Sequence, residues 1–252
     1  MEIITSVKNP IVVQTKKIKD NSKDKLFLEN PKLIKEAFKS GLVFDYALVS
    51  KDHYDDLLDE YDFLKQITVY QVSDNIIKSL SDTKTPQGVI SIVNFKQTRL
   101  NNPVGNFIVL ENIQDPGNLG TIIRSARGTS FKDIYLINCV SFCNQKVIRS
   151  AMGNLFDVNL YPFASTEQFI EFANKNNLQL MVADMSGKNL FEIKEPLKTN
   201  FGVIIGNEGK GVSNILKEKA NLIVSIPMKN GLESLNAGVS CSIIIYYLDN
   251  LK

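Results

Sequence analysis

Asn118 and Arg124 are the first two polar residues in this sequence whose types and spacing suggest a functional site. They follow the apolar segment FIVLEN and a Pro-Gly turn, and the apolar spacing of GTIIRSA predicts a helix there. Arg124 would lie on the first turns of that helix, with Asn118 near its start, so both could face one ligand. Only four of the 29 basic residues are arginines, which suit fixed contacts to phosphate or carboxylate groups better than lysines do.

A glycine-rich segment with one carboxylate, GNEGKG at residues 206–211, follows the apolar run FGVII. Its glycines permit close backbone approach or a positive φ, and Glu208 places an acid at the strand tip. A third polar segment follows the apolar run LIVSIPM and leads through a loop to Ser234, Leu235 and Asn236. In open α/β sheets, ligands bind beyond the carboxyl ends of the strands, and all three segments are predicted to lie there.

Each of these segments, taken singly, is as compatible with turn formation as with a ligand site. GNEGKG lacks the GxxxxGK[ST] pattern of a phosphate-binding loop. No GxGxxG follows the strand FIVLEN, which argues against an ordinary dinucleotide-binding fold. The three together, in this order and each at a strand end, form a specific combination.

Several other chemistries are disfavoured by composition. A Ser-His-Asp or Cys-His enzyme would have to use His53, the single histidine, which lies in an acidic run typical of a solvated surface. The three cysteines, Cys139, Cys143 and Cys241, include no CxxC pair, so we expect reduced thiols and no metal site. No apolar signal core or run of about 20 apolar residues is present, which predicts a cytoplasmic protein without membrane contact.

Strand patterns alternate with helical patterns and predict an α/β fold. Residues 1–95 are predicted to form a small α/β domain, and the polar, aperiodic residues 96–106 a linker. Residues 107–252 carry longer, near-continuous Val/Ile/Leu strands, which indicate a parallel sheet covered by helices on both faces. The apolar segment 235–251 predicts a terminal helix buried at a core or a subunit interface.

Charge is concentrated at the amino-terminal end of the first domain. Residues 1–39 hold nine lysines against five acids, net +4, whereas the whole chain is only +2. This stretch could bind a polyanion, and a solvated lysine face is an equal alternative. Lys16, Lys17 and Lys19 are the candidate contacts to phosphate.

The three segments together resemble the SpoU/TrmH family of the SPOUT superfamily, S-adenosylmethionine-dependent RNA ribose 2′-O-methyltransferases. The resemblance is close over 107–252, and the amino-terminal unit resembles the family's ribosomal-protein-like substrate-binding domain through ITSVKNP, FLENPKLIKEAF and TPQGVISIV. The chain departs from the family pattern at residues 127–130 and at Gln145. The matching motif positions are Asn118, Gly120 and Arg124; Gly206, Asn207, Glu208 and Gly209; and Ile226, Pro227, Met228, Ser234, Leu235 and Asn236.

The resemblance implies a trefoil knot in the carboxy-terminal domain, with S-adenosylmethionine held in it largely by backbone groups. Gly206, Ile226 and Leu235 should contact this cofactor, with Asn207, Gly209 and Met228 beside them. Family members work as homodimers that pack their terminal helices together. The implied partner is therefore RNA together with a second copy of the chain, and no metal.

Methyl transfer to a hydroxyl requires alignment of the 2′-oxygen and loss of its proton. A guanidinium stays protonated, so we expect Arg124 to stabilise the developing alkoxide or to anchor the adjoining phosphate. Asn118 should orient it, and the polar groups predicted to complete the site are Glu208, Ser234 and Asn236.

Two alternatives come from other classes of protein. One is a catalytically inactive RNA-binding protein that keeps the fold, and the other is a nucleotide-binding enzyme of ordinary doubly wound type. The motif residues argue against the first, and the absent phosphate-binding patterns argue against the second. The two-domain arrangement favours large-subunit rRNA as the substrate, with tRNA as the alternative.

Overall fold

The computed structural model describes residues 3–95, 102–196 and 201–251. The chain folds into two compact units, residues 1–96 with 143–145 and residues 97–142 with 146–252. Residues 96–101 of the predicted linker lie outside the described residues, so the domain boundaries stay a prediction.

The first unit is a mixed sheet with helices. Its strands are β1 (Lys25–Leu28), β2 (Val43–Ser50), β3 (Val69–Val72) and β4 (Val89–Asn94), and its α-helices are α1 (Pro10–Asn21), α2 (Pro31–Lys39), α3 (Tyr54–Glu60) and α4 (Asp74–Leu80). The strand order is β1-β4-β2-β3, with β4 antiparallel to both neighbours and β2 parallel to β3. The buried faces of these elements form a core around Phe27, Leu48 and Ile76.

One predicted helix of this unit is divided in two. The apolar spacing of residues 55–66 predicts a single helix, but the α-helix ends at Glu60 and a 3₁₀ helix follows over Asp62–Gln66. Tyr61 leaves the helical region at φ −124° and ψ 76°, and its ring packs edge-on against Phe63. Burial of these two rings accounts for the break.

The second unit is a six-stranded, fully parallel sheet, which confirms the predicted arrangement of the sheet. Its strands are β5 (Phe107–Glu111), β6 (Asp133–Ile137), β7 (Asn159–Phe163), β8 (Gln179–Asn189), β9 (Phe201–Ile205) and β10 (Leu222–Ser225). Its helices are α5 (Pro116–Arg127), α6 (Gln145–Ala151), α7 (Thr166–Lys175), α8 (Asn214–Lys219) and α9 (Ala237–Asp249). The trefoil knot stays a prediction.

Strand order places a topological switch at the centre of this sheet. The order is β10-β8-β9-β5-β6-β7, so the connection after β5 leaves toward β6 and that after β9 leaves toward β10. Crevices of this kind, between connections that leave in opposite directions, are where parallel α/β sheets bind ligands. The segments after β5 and β9 are the first two of the three polar segments predicted to do chemistry.

Two helix boundaries differ from the sequence prediction. The helix carrying Asn118 begins at Pro116 rather than at Gly120, because Asp115 caps it by accepting from the Asn118 amide. The helical pattern of residues 146–156 ends at Ala151, because the next two residues take positive φ values.

Candidate functional site

A cavity of about 520 Å³ lies at the carboxyl ends of β9 and β10 and beside the middle of β8, with the first turns of α9 along one side. Cavities of this size hold nucleoside-sized ligands, and the apolar side chains of Ile205 and Ile244 suit an aromatic base. Eight residues predicted for cofactor binding or catalysis line it: Gly206, Asn207, Glu208, Gly209, Ile226, Met228, Ser234 and Leu235.

Gly206 is a glycine because the chain folds back on itself there. A Cβ at this position would lie 2.3 Å from the carbonyl carbon of Gly211 and 2.4 Å from the amide nitrogen of Val212. Both atoms belong to the backbone and cannot rotate away. Gly211 itself has a φ of +66°, a conformation that favours glycine.

Asn207 organises the loop that follows Gly206. Its Oδ1 accepts hydrogen bonds from the amides of Gly209 at 2.9 Å and Lys210 at 3.2 Å. Its Nδ2 donates to the carbonyl of Asn112 at 3.1 Å, which ties the loop to the end of β5. Asn207 therefore fixes the shape of the loop as well as lining the cavity.

Asn118 and Glu208 are brought together across the switch point. The Asn118 Nδ2 donates a hydrogen bond to Oε1 of Glu208. Asn118 is buried at 7% exposure on the first turn of α5, whereas Glu208 is exposed at the cavity. The two residues are 90 positions apart in the chain, so this contact joins the first predicted motif to the second.

Arg124 lies further along α5 than the sequence predicts. It is the ninth residue of the helix, in the last turns rather than the first, and about 9 Å along the axis from Asn118. Its side chain is exposed, and its Nη1 lies 3.4 Å from the sulfur of Met152. Among the described residues that line the cavity, Arg124 and Asn118 are both missing. The side chain of Asn118 donates to Glu208, whereas the sequence predicts that it orients Arg124.

Asn236 has a local structural role in addition to its predicted one. It is the N-cap of α9, and its side chain accepts from the Val239 amide at 3.2 Å. Its neighbours Leu235 and Ala237 line the cavity, so the cap sets where the helix begins beside it. An Asn just before an apolar helical run is a signal of an N-cap that could have identified this role.

Two acids, one within β8 and one at the end of β5, are missing from the sequence prediction. Asp184 lines the cavity and pairs with Lys217 at 2.6 Å. Burial alone would raise the pKa of Asp184, but hydrogen bonds from Lys217 and Ser186 outweigh it and hold the pKa at about 2. Glu111, the last residue of β5, is 1% exposed. An acid directly after an apolar run, as in FIVLEN and QLMVADM, is the signal that could have identified both.

Among the described residues, neither His53, nor the cysteines, nor any group of metal-ligating side chains gives a competing site. His53 is exposed and its ring lies 3.1 Å from where a Cβ on Gly88 would be. Burial raises the pKa of the Cys139 and Cys241 thiols to about 12, so neither is an activated nucleophile. Within the described ranges, no group of three or more His, Cys, Asp or Glu side chains could hold a metal ion. Nor is any helix in that part of the chain long and apolar enough to cross a membrane.

Each of the two units matches the model of a known protein family. The family model of the SpoU rRNA methylases matches residues 105–246. The model of an MRM3-like substrate-binding domain matches residues 5–91.

Named relatives and solved structures agree with these matches. The chain is 30% identical to the Bacillus subtilis 23S rRNA (guanosine(2553)-2′-O)-methyltransferase RlmP, over 98% of this chain and 99% of that protein. It is 26% identical to human mitochondrial rRNA methyltransferase 3, over 88% of this chain and 66% of that protein. An AdoMet-bound rRNA methyltransferase from Sinorhizobium meliloti has the same fold, with a TM-score of 0.84 at 22% identity over 98% and 97% of the two chains.

Proposed function

The chain belongs to the SpoU rRNA methylase family, and we propose that it transfers a methyl group from S-adenosylmethionine to a ribose 2′-hydroxyl of large-subunit ribosomal RNA. The observation that carries the proposal is the hydrogen bond between Asn118 and Glu208 at the cavity. It supports an enzyme over an inactive RNA-binding protein, because it joins the first two motifs and holds a carboxylate at the cavity, where that group can contact a bound ligand.

The cavity fits the proposed cofactor. Ile226, Leu235 and Ile244 offer apolar surface for an adenine ring, and the closely folded backbone at Gly206 leaves main-chain groups rather than side chains at the cavity wall. The acidic side chains of Asp184 and Glu208 suit the hydroxyl and ammonium groups of such a molecule.

The role proposed for each residue follows from where its side chain lies. When bound, S-adenosylmethionine supplies an activated methyl group for in-line displacement by the 2′-oxygen. Asn118 holds Glu208 at the cavity, and Ser234 lies exposed in the opposite loop. A guanidinium is a poor general base, so Arg124 is not the group that takes the hydroxyl proton. Its place about 9 Å along α5 from Asn118 favours a contact to the RNA phosphate beside the reacting ribose.

The proposal includes a homodimer formed through α9. This helix buries one face against the sheet and α5, but Val239 and Tyr246, seven residues apart and therefore on one side, are 44% and 46% exposed. We expect Val239→Asp to give a monomer in sedimentation velocity, because a charge there would oppose an apolar interface. Val43→Asp, at a 66% exposed valine of the first unit, is the matched control and should leave the mass unchanged. A monomeric parent chain would contradict the dimer.

The first unit is proposed to hold the RNA and the second to bind the cofactor. Its match to a substrate-binding domain and the net charge of +4 on residues 1–39 support this role. We also propose that the protein acts in the cytoplasm, since Cys139 and Cys241 are free thiols suited to a reducing compartment.

Methylation assays test the proposed function directly. Purified chain, radiolabelled S-adenosylmethionine and protein-free large-subunit rRNA should give labelled RNA whose modified nucleotide resists alkaline cleavage on its 3′ side. Small-subunit rRNA and tRNA are the parallel substrates. Label on the base instead of the ribose would overturn the reaction, and label on tRNA alone would overturn the substrate. Mapping of 2′-O-methyl sites in RNA from cells with and without the protein identifies the nucleotide.

A further inference from the structure

Glu111 is a buried carboxylate that the proposed methyl transfer does not use. It ends the central strand β5 and is 1% exposed. Its Oε2 accepts from the Ser213 amide at 2.7 Å, and its Oε1 accepts from the Ser213 hydroxyl at 2.7 Å and the Thr166 hydroxyl at 2.9 Å. A buried acid is costly unless its oxygens are satisfied, and here both are.

These bonds join β5 to the end of the loop at the cavity. Ser213 closes the segment 206–213 and is the N-cap of α8, yet its hydroxyl does not cap that helix. It donates to Glu111 instead, so the helix gives up a stabilising side-chain cap. The serine therefore serves the contact with β5 rather than the helix.

Asn112, the residue after Glu111, holds the start of the same loop. Asn207 donates to the carbonyl of Asn112, whose φ of +58° turns the chain so that this carbonyl is presented to the loop. Glu111 and Asn112 therefore fix the two ends of the loop, and Asn118 contacts Glu208 between them. Every hydrogen bond in this set links the loop to the end of β5 or the segment after it, on the far side of the switch point.

We propose that Glu111 is a positioning residue for cofactor binding, which keeps the loop 206–213 in the shape that lines the cavity. Glu111 is not itself among the described lining residues, so it acts through Ser213. This rests on the proposed function, because the cofactor is the ligand whose affinity should report the shape of the loop. Loss of the carboxylate would leave half-buried donors at Ser213 and Thr166 without an acceptor, and the loop would move to hydrate them.

Asp133 provides a matched control at the opposite, amino-terminal ends of the strands. It begins β6, is 7% exposed, and accepts from Asn159 at 2.8 Å, Tyr161 at 3.2 Å and the Val104 amide at 3.3 Å. Both acids are therefore buried and accept three hydrogen bonds. Pairing of Phe107 with Asp133 and of Glu111 with Ile137 separates them by about 13 Å along the strands.

The experiment measures S-adenosylhomocysteine affinity by calorimetry and amide hydrogen exchange of the loop in the cofactor-free chain. Glu111→Ala should weaken binding about tenfold and speed exchange at the Gly209, Lys210 and Gly211 amides, which Glu111 does not touch directly. Glu111→Gln keeps an acceptor and should stay within about threefold of the parent. Ser213→Ala loses one bond of three and should lie between them.

Asp133→Ala should lower the melting temperature as much as Glu111→Ala while leaving loop exchange and affinity within about twofold of the parent. The proposal is overturned if Glu111→Ala changes neither readout, or if Asp133→Ala changes both equally. If Glu111→Ala does not fold, Ser213→Ala decides, since unchanged exchange and affinity there would also overturn it. If the parent chain fails to bind the ligand, the proposed function fails, while loop exchange still tests the role of Glu111.

Discussion

The side-chain amide of Asn118 donates to the carboxylate of Glu208, so the helix after β5 and the loop after β9 are joined at the cavity by one hydrogen bond. Asn118 is buried and held on the first turn of α5, whereas Glu208 is exposed on a loop. The buried partner therefore restricts the exposed one. An amide is suited to this task because it can donate to the acid without adding charge to the site.

Asn118→Asp should reduce methylation about a hundredfold. Two carboxylates would then face each other at hydrogen-bond distance, and one must take up a proton or move away. The measurement is the turnover rate at saturating cofactor and RNA. Asn174→Asp, on the exposed face of α7, adds the same charge away from the cavity and is the control. A variant of Asn118 with parental turnover would show that the contact has no part in catalysis.

Gly206→Ala should weaken S-adenosylhomocysteine binding by about tenfold or more. The added Cβ would meet backbone atoms of Gly211 and Val212 at 2.3–2.4 Å, so the loop must shift. Gly209→Ala is the comparison, because its Cβ would meet only Asn207 Oδ1 at 3.5 Å and should give a much smaller loss. Calorimetry on both variants checks the difference, and equal affinities would contradict the close approach as the reason for glycine.

The apolar strand patterns are sufficient to predict the parallel sheet, because strands buried on both faces read as continuous apolar runs in the sequence. The sequence prediction lacks the first helix and the first strand, although Asn9 followed by Pro10 is a helix-start signal and Asn9 does cap α1. Contacts between residues distant in the chain cannot be predicted from these local patterns. Local spacing does not indicate the hydrogen bond between Glu111 and Ser213 or the one between Asn118 and Glu208. The residues of each pair are about 100 positions apart, and they meet only because β5 pairs with β9.

Arg124→Ala should lower turnover about a hundredfold or more while leaving cofactor affinity nearly unchanged. Its side chain is exposed on α5 and does not line the cavity, so its loss removes a contact made to RNA or to developing charge. Arg127→Ala removes the same residue type from the same helix but breaks only an exposed pair with Asp157. Turnover and calorimetry on both variants are the measurements. Equal losses of turnover and affinity in Arg124→Ala would show a structural role.

Lys16 and Lys17 should carry part of the RNA affinity of the first unit, and Lys19 should not. The first two are exposed on α1, whereas Lys19 is 15% exposed, pairs with Asp82 at 2.5 Å and donates to the Leu80 carbonyl. The sequence predicts phosphate contacts for all three lysines, but the ammonium group of Lys19 already binds Asp82 and the Leu80 carbonyl within the first unit.

Replacement of Lys16 and Lys17 by glutamine should weaken RNA binding and make its dependence on salt shallower. Each lost phosphate contact lowers the slope of log affinity against log salt by about 0.7–0.9, so the pair should lower it by about 1.5. Lys19→Gln should leave that slope unchanged and lower the melting temperature, because it breaks an internal ion pair. Filter binding at several salt concentrations gives the slopes. An unchanged slope in the double variant would mean that RNA does not contact this face of α1.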